Sequence, residues 1–238
     1  MTQGNYSGKI VLVTGSRKGI GLALAKHFLD GGATVLGLSR QPGDLEHANY
    51  HHLQCDVRDA KDLRATFQKI TKKSVLHILI NNSAVLDSKH SFMLTATSAE
   101  AMVKTNLLGP FFVSREAAKI MKRSRWGRII NIGSMAAALQ PAGDSIYAAT
   151  KSGLVTMTNV LARELSPFGI TCNTVGVTAI ESDMLNQLPR AAVDKIISSL
   201  PIPRYAEQDD IFNVVDFFAS ERSAYITAQT IYLGGVHG

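Results

Sequence analysis

Tyr147 and Lys151 stand four residues apart in the stretch YAATKSGLVTMTNVLAREL. The spacing of its apolar residues predicts a helix, so the two side chains share one face with β-carbons about 5–6 Å apart. An ammonium beside a phenol favours the phenolate and lowers a pKa ordinarily near 10, which makes the tyrosine a proton donor and acceptor near neutrality. The pair alone is a common coincidence of helix composition. Ser134 makes it a constellation, because it directly follows the strand-like run RIINIG, where a hydroxyl at a strand's carboxyl end can bond a substrate oxygen.

A second set of residues is suited to holding a phosphorylated cofactor. Thr14-Gly15-Ser16-Arg17-Lys18-Gly19-Ile20-Gly21 follows an apolar run and leads into LALAKHFLD. Three glycines allow a tight turn and the close approach of a pyrophosphate, and the helix start supplies amide donors. A free adenosine ribose would call for a carboxylate at the end of the second strand, yet Ser39 and Arg40 stand there. Arginine suits a 2′-phosphate, and Lys18 adds a second cation, so the expected cofactor is NADPH/NADP+. Asp56-Val57, after the third strand, is placed to border the adenine.

The elements that must position these residues alternate. Short β-branched runs at 9–13, 34–38, 50–53, 76–80, 128–132, 170–175 and 230–233 read as strands, and helical patterns at 19–30, 59–71, 98–122, 145–166, within 182–199, and at 209–220 lie between most of them. That order predicts an α/β fold: a single-domain, Rossmann-like, doubly wound parallel sheet of about seven strands spanning 1–238, with helices on both faces and ligands beyond the strands' carboxyl ends. A substrate loop is expected within 177–203.

Composition narrows the class. In 238 residues, 45% are hydrophobic and 18% charged, which excludes a disordered chain, and two cysteines, Cys55 and Cys172, exclude a disulfide scaffold. Both cysteines read as small core residues. No apolar run reaches the length of a membrane span, and the polar opening MTQGNYSGK does not resemble a signal peptide. A soluble cytoplasmic protein without membrane partners is expected. The net charge of +6 biases the surface towards anionic partners, but no aromatic and basic interleaving suggests nucleic acid. Lys119, Lys122, Arg123, Arg125 and Arg128 read as a solvated helix end or, alternatively, an anion-docking patch. The seven histidines form no metal-binding pattern, so no metal site is assigned.

Taken in order, the TGSRKGIG loop, Asp56, Asn81-Asn82-Ser83-Ala84, Asn106 within KTNLLGPFF, Ser134, the YAATK motif and the closing YITAQTIYLGG resemble the short-chain dehydrogenase/reductase family over essentially the whole chain. Within it, the chain is most similar to the 3-oxoacyl-acyl-carrier-protein reductases, from Asn173-Thr174-Val175 through Ile180-Glu181-Ser182-Asp183-Met184 to Ala224-Tyr225-Ile226-Thr227. The resemblance implies that Tyr147 protonates a carbonyl oxygen as hydride arrives, that Ser134 holds that oxygen, that Lys151 bonds the nicotinamide ribose and lowers the tyrosine's pKa, and that Asn106 holds a relay water. It adds Asn82, Ser83, Ala84, Val177, Ile180 and Ser182 to the cofactor site.

It further implies a homotetramer and an acidic acyl-carrier protein docked at Arg125, with one ionic contact missing because Phe168 precedes Gly169. Two departures from the family stand out. Ala84 replaces a usual glycine, and Val177-Thr178 replaces a usual Pro-Gly, which predicts altered loop geometry. The expected function is NADPH-dependent reduction of a 3-oxoacyl thioester. The alternatives are reduction of a small or polycyclic ketone or sugar on the same scaffold, and a non-catalytic cofactor-binding sensor.

Overall fold

A computed structural model describes residues 4–71 and 75–237. The ends of the expected 1–238 unit, Met1–Gln3 and Gly238, lie outside the described residues. Seven strands, β1 (Ile10–Thr14), β2 (Thr34–Ser39), β3 (Tyr50–Gln54), β4 (Ile78–Asn81), β5 (Gly127–Ile132), β6 (Ile170–Gly176) and β7 (Thr230–Tyr232), form one sheet in the order β3-β2-β1-β4-β5-β6-β7. Every pairing is parallel. The chain runs outward from β1 to β3 and then returns to β4, so the strand order reverses between β1 and β4. A crevice opens beyond their carboxyl ends at such a reversal.

The period-two alternation of a strand explains why helices lie on both faces. Val11, Val13, Ile78, Ile80, Ile130 and Ile132 turn to one face and pack with Leu24 and Phe28 of α1 (Gly19–Asp30) and with Ile211, Val215 and Phe218. Leu12, Leu79 and Ile129, which alternate with them along the strands, turn to the other face. They meet Leu63 and Phe67 of α2 (Ala60–Thr71), together with Val113, Ile120, Met121, Leu161 and Ala162 from two longer helices described next. Each of the larger side chains contributes roughly 1.5–3 kcal/mol on full burial.

The expected helix at 98–122 is broken. It runs as α3 (Ala96–Val103), a π-helical turn at Lys104–Leu108, and α4 (Gly109–Ser124). The cause is local. Pro110 has no amide to give the carbonyl four residues earlier, that of Asn106, and a π turn absorbs the mismatch. A short helix the sequence did not predict, α5 (Ala136–Leu139), precedes α6 (Ser145–Leu165); α7 (Arg190–Ser198) and α8 (Gln208–Ala219) complete the set.

A buried polar chain braces the strand ends beneath the crevice. Asn81 Nδ2 donates to Ser114 Oγ (2.9 Å) and Asn131 Oδ1 (2.8 Å), and Asn131 Nδ2 donates to Thr158 Oγ1 (2.7 Å) on α6. Asn81, within the quoted family segment, thus holds β4 to α4 and β5.

The basic run divides. Arg128 is 1% exposed and stacks on Trp126, so it is a core residue and not part of a solvated end. Lys119 pairs with Glu116 at 2.8 Å, while Lys122 lies 4.3 Å from the centre of the Phe168 ring. Among the described residues no helix is long and apolar enough to cross a membrane.

Candidate active site

The loop after β1 is built on close backbone contact. Gly15 (φ +69) and Gly19 (φ +58) adopt left-handed conformations, and a β-carbon on Gly21 would sit 2.3 Å from the Gly15 carbonyl oxygen. Asn82 clamps this turn from the end of β4: its side-chain amide donates to the Thr14 carbonyl at 3.0 Å. The Thr14 hydroxyl oxygen accepts from the Asn82 and Ser83 amides at 2.9 and 3.0 Å.

The cleft above this loop has a volume of about 710 Å³. It is lined by Gly15, Arg17, Lys18, Gly19, Ile20, Ser39, Arg40, Asp56, Val57, Asn82, Ser83, Ala84 and Ser182 among the expected residues. Ser16 is not among them. It is fully buried, with its hydroxyl 3.1 Å from Tyr50 Oη. Gly21 and Asn106 likewise act from behind the lining. Arg58, unforeseen in the sequence, also lines the cleft and grips Asp56 through Nε and Nη2 at 2.6–3.0 Å. That guanidinium holds the Asp56 carboxyl below its usual range, with Arg40 adding to the effect. Its signal was available two residues beyond Asp56, in DVRD.

Four cations lining a cleft whose floor is a glycine turn, Arg17, Lys18, Arg40 and Arg58, fit a phosphorylated dinucleotide. Lys18 is already engaged, since its Nζ lies 2.5 Å from Asp183 Oδ2 across the cleft mouth. Both partners are largely exposed.

The neighbouring cavity, about 160 Å³, is lined by Ser134, Tyr147 and Lys151 together with Val177, Ile180 and Ser182. Tyr147 and Lys151 do share one face of α6 and are both buried. Burial disfavours the phenolate and pushes Tyr147 up to about 12; the nearby Asp144 charge acts in the same direction, and a hydrogen bond from Ser134 opposes it. Burial brings Lys151 down to about 8. Lys151 Nζ lies 5.8 Å from the Tyr147 ring centre and donates to the Ile132 carbonyl at 2.8 Å.

Asn106 sits in the π turn with its side-chain amide occupied. Oδ1 accepts from Val85 N at 2.8 Å, and Nδ2 donates to Val85 O at 2.9 Å and to Thr150 Oγ1 at 3.3 Å. It thereby ties the segment after β4 to α6.

The Val177-Thr178 departure is accommodated without strain. Neither residue is among the non-glycine positions with positive φ, which among the described residues are Arg125, Gln140 and Ala228. Val177 O accepts from Met135 N at 2.8 Å, which holds the turn against the segment after Ser134. Beyond it, Ala179, Leu185, Leu188 and Val193, within the expected 177–203 loop, pack with Met135 and line the cavity.

The family model for short chain dehydrogenase matches residues 9–192. The chain belongs to the short-chain dehydrogenase family. Among its relatives in that family, the 3-oxoacyl-[acyl-carrier-protein] reductase FabG of Vibrio harveyi is 34% identical, with 97% of this chain and 98% of that protein covered. The protein of the same name from Escherichia coli (strain K12) is 33% identical, with coverage of 97% and 98%. Among solved structures, a putative gluconate dehydrogenase from Agrobacterium tumefaciens superposes with a TM-score of 0.90 at 27% identity, covering 97% of this chain and 96% of that one. Ligand-free Thermoplasma acidophilum aldohexose dehydrogenase gives 0.88 at 27% identity, covering 99% and 96%. This short-chain dehydrogenase is accordingly an oxidoreductase.

Proposed function

We propose that the protein reduces the keto group of a 3-oxoacyl thioester with NADPH, giving the 3-hydroxyacyl product. The observation that carries this reading is the placement of Ser134 and the phenol-bearing Tyr147 on one cavity that adjoins a cation-rich, glycine-floored cleft. The dinucleotide supplies the hydride. Gly15, Gly19 and the loop amides would hold its pyrophosphate, and Arg17, Lys18 and Arg40 a 2′-phosphate.

Ser134 donates a hydrogen bond to the substrate carbonyl oxygen, and Tyr147 passes its proton to that oxygen as charge develops there. A tyrosine held protonated by burial is suited to donation, the reductive direction. Lys151, poised near 8, resupplies the proton to the tyrosine's surroundings. The Asn106 side chain is engaged with Val85 and Thr150, so a relay water at this turn would be held by its main chain.

A homotetramer belongs to the same proposal. Phe111 on α4 and Val160 on α6 stand exposed, as surfaces awaiting a second copy would. Light scattering at micromolar concentration is expected to report four chains.

Carrier docking rests on Arg125, exposed in a left-handed turn with Nη2 donating to Pro167 O at 3.0 Å. Lys122 over the Phe168 ring supplies a cation beside the position where an ionic contact was expected to be missing. The test compares kcat/KM for one 3-oxoacyl group on an acidic carrier protein and on a short thiol, at low and high salt. A several-fold advantage for the carrier is expected; it should shrink with salt and largely disappear in Arg125→Glu, since exposed pairs contribute about 0.2–1 kcal/mol each. Equal use of both substrates at low salt would remove the carrier from the account.

A further inference from the structure

Asp144 precedes α6, three residues before Tyr147, and faces the same cavity as Tyr147 and Ser134. It is only 8% exposed, and its Oδ1 is fully buried with no hydrogen-bond partner among the described residues. The carboxyl is gripped from behind by a hydrogen bond from Ser88. That grip is itself fixed: Lys89 N donates to Gly143 O at 3.0 Å, and Gly143 takes φ +95 with its missing β-carbon only 3.3 Å from Ser88 Oγ.

Around it the cavity wall is apolar, from Leu86, Leu139, Pro141 and Leu188. A buried acceptor without a donor is costly, and a plain acyl chain would leave it so. Nothing in the proton path from Tyr147 requires this carboxylate, whose charge opposes ionisation of the tyrosine.

We propose that Asp144 is a specificity residue that accepts a hydrogen bond from an O–H or N–H carried by the substrate a few bonds from its carbonyl. The inference rests on the carbonyl-reductase reading and adds to it a polar feature that the substrate must present. Two sources offer that chemistry: a hydroxyl flanking the keto carbon, and the amide N–H of the thiol arm of a thioester.

Two matched pairs distinguish them in steady-state assays with NADPH. The first is the 3-oxobutanoyl thioester of N-acetylcysteamine against its S-butyl counterpart, which lacks the N–H. The second is ethyl 4-hydroxy-3-oxobutanoate against ethyl 3-oxobutanoate. The parent protein is expected to favour the donor-bearing member of one pair by about tenfold or more in kcat/KM. The isosteric Asp144→Asn should narrow that ratio several-fold, and Asp144→Leu should bring it close to one. Fluorescence titration with NADPH on each variant shows that the fold is retained. A parental ratio near one in both pairs overturns the proposal, as does a ratio that survives Asp144→Leu. If the parent reduces none of the four compounds, the reductase reading fails and takes this proposal with it, an outcome separate from turnover without discrimination.

Discussion

Lys151 donates to the main-chain carbonyl of Ile132 at 2.8 Å, so the ammonium is anchored to the carboxyl end of β5 and not to Tyr147, its neighbour on α6. The anchor fixes the α6 face against the strand that leads to Ser134, and it does so with a buried group, only 4% exposed.

That burial has a signature in stability. Lys151 is brought from 10.5 down to about 8, so below pH 8 it is charged in both folded and unfolded chains and the fold bears the cost of burying it. Between about 8 and 10.5 the unfolded chain binds the extra proton, and stability rises with pH across that window. Urea midpoints of the parent should therefore gain on those of Lys151→Met from pH 8 to 10.5. Parallel curves would show that the lysine is not desolvated.

Nucleotide choice follows from Arg17, Lys18 and Arg40 with Ser39 in place of an acid. A charge-assisted contact to phosphate contributes about 1.5–3 kcal/mol, so kcat/KM should favour NADPH over NADH by roughly tenfold to a hundredfold. Arg40→Asp should narrow the preference. Arg58→Ala should weaken NADPH binding as well, because it leaves the Asp56 charge uncompensated in the same cleft. Equal or better use of NADH would contradict the reading.

Much of this was legible before any coordinates. Val11 and Val13 against Leu12, or Ile78 and Ile80 against Leu79, are apolar on both faces of a strand, and the two-layered helix cover follows from that. Tyr147, Lys151 and Ser134 could be grouped from helix spacing and a strand end. What could not be read depends on contacts between distant segments. The Ser16 hydroxyl turns to Tyr50 on an edge strand, and Arg128 belongs to the core because Trp126 and Ser220 receive it. Asp144 matters because Ser88, far away in sequence, fixes it. The break at Asn106 was readable in KTNLLGP, since Pro110 removes one helical donor, but the apolar periodicity around it masked the signal.

The Lys18–Asp183 contact spans the cleft mouth between the glycine loop and the substrate loop. Asp183 competes with a phosphate for Lys18, so Asp183→Asn should tighten NADPH binding by about two- to fivefold, the scale of an exposed ion pair. Lys18→Ala should loosen it. Isothermal titration of both variants decides; weaker binding by Asp183→Asn would mean that the pair closes over the cofactor and does not compete with it.

The central claim is that Tyr147 hands a proton to a keto oxygen held by Ser134. The most direct measurement is the single-turnover rate of NADPH oxidation by a saturating 3-oxoacyl thioester, in the parent and in Tyr147→Phe, with NADPH affinity measured alongside. The account predicts unchanged affinity and a rate lower by about 10²–10⁴ in the variant, the range for losing one general acid. A Tyr147→Phe protein that oxidises NADPH at the parental rate would contradict it.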